Sequence, residues 1–175
     1  MTRYVTLLRG INVGTAKRVA MPALRALATG LGYADVASHI NSGNLLLTSD
    51  EDADTVRRRL EQGIEDTFGL HADVIVRTAE QLQRALAANP FPECDPSRVT
   101  IAFLAGPAAA DAEEKVAALA AVDEPYLFAG LEVYVHYGRG QAMSKLAAKF
   151  AAVLGVSATV RNQRTVAKLV ELSAS

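Results

Sequence analysis

"DVASHINSGNLLLTS", residues 35–49, decides how the rest of the chain is read. Residues 35–40 and 44–49 are short runs that mix apolar residues with serine and threonine, without the three-to-four spacing of a helix. Between them stand Asn41, Ser42 and Gly43, three residues that favour a tight reversal. The stretch is predicted to be a β-hairpin. Working outward, "YVTLLR" (4–9) reads as a strand and "MPALRALATGLG" (21–32) as a helix. Pro22 suits that helix's first turn, and Leu24, Leu27 and Leu31 form its apolar stripe. On the other side, residues 52–69 repeat Val56, Leu60, Ile64 and Phe68 at helical spacing behind an aspartate, and 72–77 form a strand. The hairpin is thus enclosed in the order βαββαβ.

The same order recurs. A connecting helix over 79–88 ends at Asn89-Pro90, where proline disfavours its continuation. Then come a strand (98–105), an alanine-rich helix (108–122), two strands folded at Ala129-Gly130 (125–137), a helix (143–155), a strand (157–161) and a last short helix (165–172). Two such units predict an α+β protein of two tandem ferredoxin-like halves, each with helices on an antiparallel sheet. The expected divisions are 1–78, a connecting helix and proline-rich loop over 79–97, and 98–175 with the final helix. The duplication is one of pattern; no repeated sequence is apparent.

Composition narrows the chemistry. Half of the 175 residues are hydrophobic, and the single cysteine, Cys94, excludes an internal disulfide framework and suits a cytoplasmic setting. His39, His71 and His136 lack metal-ligand spacing, so neither a metal nor a cofactor is expected. No uncharged apolar run is long enough to span a membrane. The net charge is −1, but it is unevenly spread. Residues 1–34 carry Arg3, Arg9, Lys17, Arg18 and Arg25 and no acid. Residues 136–175 carry Arg139, Lys145, Lys149, Arg161, Arg164 and Lys168 against Glu171 alone. The middle of the chain is correspondingly acidic, which suggests a positive field raised by the two ends.

The topology indicates where the unusual residues meet. In a βαββαβ sheet, the end of the first strand and the hairpin turn share one edge. That brings "RGINVG" (9–14) beside "NSGN" (41–44) and makes Arg9 and Asn44 neighbours. Arg9 offers a fork of donors suited to phosphate or carboxylate. Asn12, Ser42 and Asn44 donate or accept; Gly10, Gly14 and Gly43 let backbone N–H groups approach a ligand; Lys17 adds charge. In the second half, Arg139, Ser144, Lys145, Arg161, Asn162 and Arg164 are expected at one sheet edge. Cations at helix starts are mildly unfavourable, by a few tenths to ~1 kcal/mol, and a bound anion reverses the sign. There is no dinucleotide fingerprint, P-loop or nucleophile elbow, and no carboxylate pair near these loops.

"LLRGINVG", "MPALRALATGLGY", "INSGNLLL" and "TVRNQRTVAKLVEL" together resemble the bacterial domain-of-unknown-function family 1697. The resemblance implies two ferredoxin-like halves and a set of signature positions, with no mechanism. Arg9, Gly10, Asn12, Gly14, Ser42, Gly43, Asn44, Arg161, Asn162 and Thr165 keep the family pattern. Gln163 stands where the family usually has tryptophan, and Thr15 where it tends to glycine.

The expected function is a cytoplasmic binding protein for an anionic, phosphate-bearing ligand, a nucleotide or a nucleic-acid end. The ligand-binding residues expected are Arg9, Gly10, Asn12, Gly14, Lys17, Ser42, Gly43, Asn44, Arg139, Lys145, Arg161, Asn162 and Arg164. One alternative is an enzyme in which Arg9 and Arg161 clamp the anion of a phosphorylated or carboxylated small molecule and His136 or Tyr137 moves a proton. Another is a module whose signature loops meet a partner protein.

Overall fold

A computed structural model describes residues 1–12 and 18–174. They fall into two units, one of residues 1–83 together with 169 onward, the other of residues 84–168.

The first unit runs β1 (Thr2–Arg9), α1 (Met21–Gly30), β2 (Ala34–His39), β3 (Asn44–Ser49), α2 (Ala53–Phe68), β4 (Asp73–Thr78), and leads into α3 (Ala79–Ala87). Its sheet has the order β2-β3-β1-β4, with every pair antiparallel. Alternation along β1 puts Tyr4 and Leu8 on the face they share with Leu45, Leu47, Val74 and Val76. Leu24 and Ala28 of α1 and Val56, Leu60 and Ile64 of α2 complete that core. Such a core residue cut to alanine costs about 2–5 kcal/mol. Asp52 fixes the start of α2 by accepting from the Thr55 N–H at 2.8 Å.

The second unit runs β5 (Val99–Leu104), α4 (Ala112–Leu119), β6 (Tyr126–Ala129), β7 (Glu132–His136), a 3₁₀ turn (Gln141–Met143), α5 (Lys145–Leu154), β8 (Ala158–Asn162), and leads into α6 (Gln163–Ser173). Its sheet, β6-β7-β5-β8, repeats the order and the antiparallel pairing of the first. Ala102, Leu104, Val133, Val135 and Ala158 pack with Val116 of α4 and Leu146, Phe150 and Leu154 of α5.

The chain is therefore α+β, with two tandem βαββαβ halves. One element departs clearly from expectation. Alanine content predicts a helix over 108–122, but α4 is only Ala112–Leu119. At its front, the Ala109 N–H donates to the Leu154 carbonyl at 2.9 Å, which ties residue 109 to the end of α5. At its back, the Glu124 carboxylate accepts from the Ala121 N–H at 3.0 Å and turns the chain away. Tertiary partners override helix propensity at both ends. Among the described residues, no helix is long and apolar enough to cross a membrane.

Candidate functional site

At the end of β1 the chain does meet the hairpin turn. The Leu8 N–H donates to the Gly43 carbonyl at 2.8 Å. Asn12 then crosses the same gap. Its Nδ2 donates to the Val19 carbonyl at 2.9 Å and to the Asn41 carbonyl at 3.0 Å, and its Oδ1 accepts from the Val19 N–H at 2.7 Å. Both amide hydrogens and the carbonyl oxygen thus serve the protein's own backbone. Asn12 sits at φ 55°, a left-handed conformation that asparagine tolerates better than most residues. Ile11 is buried beneath it. Gly43 has φ 78°, and a Cβ there would stand 2.8 Å from Ile11 Cδ1 and 2.9 Å from Leu8 Cβ. Glycine is thus required twice over, by conformation and by space.

Asn44 is fully buried and gives its Nδ2 to the His39 carbonyl and the Ser42 hydroxyl, both at 3.0 Å. Strand register places Leu7 opposite Asn44 and Arg9 opposite Asp73. Arg9 accordingly faces an acid rather than the expected asparagine, with Nη1 4.0 Å from Asp73 Oδ2. The other oxygen of Asp73 lies 3.3 Å from Nε2 of His71, an exposed ring. Gly10, at φ 86°, turns the chain beyond Arg9. Gly14 and Lys17, both expected in this site, lie outside the described residues.

The second unit has a different feature. The segment after α4 and the loop before α5 are drawn together where the Gly138 N–H donates to the Asp123 carbonyl at 3.1 Å. A Cβ on Gly138 would stand 2.7 Å from that same carbonyl oxygen, so only glycine allows the approach. Between the two segments opens a cleft of about 550 Å³, within the range of small-molecule sites. Leu119 and Val122 line one side, and Arg139, Met143 and Lys145 line the other. Arg139 is exposed, with Nε 3.2 Å from Asp123 Oδ2. Glu124, also in the lining, is buried and committed to the Ala121 N–H. Ser144 caps α5, its Oγ accepting from the Ala147 N–H at 3.0 Å. Lys145 is therefore the first residue of a helix whose first turn holds no acid. Among the described residues it makes no ion pair.

The remaining predicted residues do not line this cleft. Arg161 is partly buried, its Nη1 donating to the Thr159 hydroxyl at 2.8 Å and the Val160 carbonyl at 2.9 Å. Burial lowers its pKa to about 10. Asn162 caps α6 by accepting from the Thr165 N–H at 2.9 Å. Arg164 lies 3.8 Å from Asp95, whose carboxyl is held below its ordinary range by the Ser97 hydroxyl and N–H. Gln163 accepts from Asn89 Nδ2 at 3.0 Å. Of the groups considered for proton transfer, Tyr137 is buried. That burial, then the charge of Glu124, pushes its phenol well above the ordinary range and keeps it protonated near neutrality. His136 rests against the Phe91 ring at 6.2 Å between centroids. Sequence reasoning missed Asp123, Val122 and Met143, which carry no local pattern. It also missed the pairing of His71 and Arg9 through Asp73, which strand register alone creates.

The family described as "Protein of unknown function (DUF1697)" matches residues 1–134, so the clasp around Asn12 lies inside the matched segment and Arg139, Met143 and Lys145 lie beyond it. The chain is similar in structure to the conserved bacterial protein SP0830 from Streptococcus pneumoniae. The two share 25% identity and a TM-score of 0.77, with 98% of each chain covered. No curated protein matches the chain.

Proposed function

We propose, for a chain that belongs to the DUF1697 family and takes no activity from that membership, that it binds an anionic, phosphate-bearing small molecule in the cleft of its second unit. One observation carries the reading: Arg139 and Lys145, six positions apart, line a single cavity, and Lys145 makes no ion pair with Asp123 or Glu124 of the same lining. An anion there would relieve the unfavourable placement of a cation at the start of α5. The Arg139 guanidinium, held by Asp123 through Nε, would present the rest of its planar fork. Titration calorimetry with inorganic phosphate, a nucleoside monophosphate and a 5′-phosphorylated oligonucleotide, each at low and moderate salt, tests the reading. Saturable binding that weakens with salt and falls about tenfold or more in Lys145→Ala is expected. No saturable binding of any probe at low salt would overturn it.

A second reading, an enzyme acting at the end of the first sheet, is favoured by Asp73 standing between Arg9 and His71. That arrangement would let an anion displace Arg9 from Asp73 beside an acid–base group. An anion-dependent change in the nuclear magnetic resonance titration of His71, abolished in Arg9→Ala, is its expected signature. A His71 titration indifferent to phosphate counts against it.

A further inference from the structure

The cleft's walls say more about its occupant than its charges do. We infer, on the reading that this cleft takes an anion, that its ligand is an anionic head on a short aliphatic chain, a phosphate monoester or carboxylate, rather than a nucleotide. Lys145 and Arg139 share the lining with Asp123, which pairs with Arg139, and Glu124, which holds the Ala121 N–H, while Leu119, Val122 and Met143 supply hydrocarbon and a thioether. Val122 and Met143 are two of only six large hydrophobic residues that are exposed among those described, and both border this one cavity. Single exposed apolar residues are ordinary; a pair on one concave surface, next to a lysine that makes no ion pair, is an amphipathic site. Among the described residues no aromatic side chain lines it, so a nucleobase would have no ring there to stack on, which is how proteins commonly hold unpaired bases. Methionine's flexible thioether adapts to a chain of variable shape.

The experiment is a homologous series. Inorganic phosphate, then methyl, butyl and hexyl phosphate, then the carboxylates of matching length, and a nucleoside monophosphate, are titrated into the full-length protein. Affinity is expected to rise about twofold per methylene, roughly half of what full burial gives, because the cleft is open on one side. Met143→Ser, at an exposed position where the fold has little at stake, is expected to flatten the dependence on chain length. Lys145→Ala is expected to weaken every member of the series alike. The two head groups are told apart by which series binds more tightly at equal length. Phosphate binding with no dependence on chain length, or a nucleoside monophosphate that outbinds hexyl phosphate and is indifferent to Met143→Ser, would overturn the inference while leaving anion binding in place. Failure of every probe, inorganic phosphate included, would overturn both.

Discussion

Replacing Asn12 by aspartate changes one amide nitrogen to an oxygen and leaves the shape intact, so it isolates what that residue does. Aspartate also tolerates the left-handed conformation found there at φ 55°. The exchange removes the donor that holds the Val19 and Asn41 carbonyls at 2.9 and 3.0 Å and sets a carboxylate oxygen against both. Two hydrogen bonds at about 1 kcal/mol each, with a further ~1 kcal/mol for the opposed oxygens, give a loss of about 3 kcal/mol. With a urea dependence of about 2 kcal/mol per molar, the unfolding midpoint falls by about 1.5 M. Asn12→Ala loses all three bonds and adds the cost of a left-handed alanine, so it is expected to be at least as damaging. Asn12→Gly recovers about 1 kcal/mol of that through its backbone freedom. The Asn12→Asp penalty shrinks as pH falls toward the carboxylate range, because a protonated carboxyl regains one donor. Urea unfolding followed by far-ultraviolet circular dichroism measures these differences. An Asn12→Asp midpoint within about 0.2 M of the parent protein would refute the clasp and return Asn12 to the list of free ligand-binding groups.

Two further outcomes are expected. The phenols of Tyr33 and Tyr134 are both raised to about 12, Tyr33 by burial and then the Glu51 hydrogen bond, Tyr134 by burial and then the charge of Glu132. The folded state therefore keeps protons that the unfolded chain releases from about pH 10 upward. Stability is unaffected by these groups below pH 10 and falls between 10 and 12. Tyr134→Phe should remove its share of that alkaline loss, while costing ~1 kcal/mol at neutral pH for the lost bond to the Ala85 carbonyl; a pH–stability profile that keeps its alkaline limb in full would contradict the assignment. For Gln163, a double-mutant cycle with Asn89 should give a coupling of about 1 kcal/mol, since each is the other's partner at 3.0 Å. Strictly additive losses would show that the pair contributes nothing as a pair.

The fold was legible because the hairpin pattern and the helical spacing appear twice in the same order, and each is a local property of a few neighbouring residues. The signature loop was legible as a special place but not as to its purpose. Asparagine, serine and glycine in succession satisfy a ligand or the chain's own turn with the same atoms. The bonds of Asn12 to Val19 and Asn41 show its side chain serving the chain's own turn. Charge misled in a more instructive way. The cations of both chain ends are segregated in sequence, yet three of them stand against acids of the middle: Arg9 with Asp73, Arg139 with Asp123, Arg164 with Asp95. In each half the first strand lies in the middle of the sheet, beside strands contributed from much later in the sequence. A linear bias of charge is thereby folded into pairs, each exposed and worth at most about 1 kcal/mol. Lys145 escapes this, which is why the candidate site rests on it.

Arg161 shows how a duplicated fold can resolve what a single motif cannot. Opposite it in register is Ile101, as Val5 is opposite Arg77 in the first unit. Arg77 is buried where Arg161 is partly so, and its Nη1 donates to the carbonyl of the preceding residue, Val76, as that of Arg161 does to Val160. The next residue caps a helix in both cases: Thr78 Oγ1 accepts from the Gln81 N–H at 3.1 Å, and Asn162 Oδ1 accepts from the Thr165 N–H at 2.9 Å. "VRTAEQL" (76–82) and "VRNQRTV" (160–166) are thus the same strand-to-helix junction built twice, a repeat too diverged to notice until the registers are aligned. A position that recurs with the same backbone contact in both halves is explained by what the halves share, which is architecture. A ligand site exclusive to one half has to be sought where the halves differ: α2 and α5 are capped alike, by Asp52 and Ser144, but among the described residues the 3₁₀ turn Gln141–Met143 precedes only α5. The contact of Arg161 with the Val160 carbonyl thus has an architectural account, and the proposed binding role of the cleft beside α5 is tested separately by Lys145→Ala.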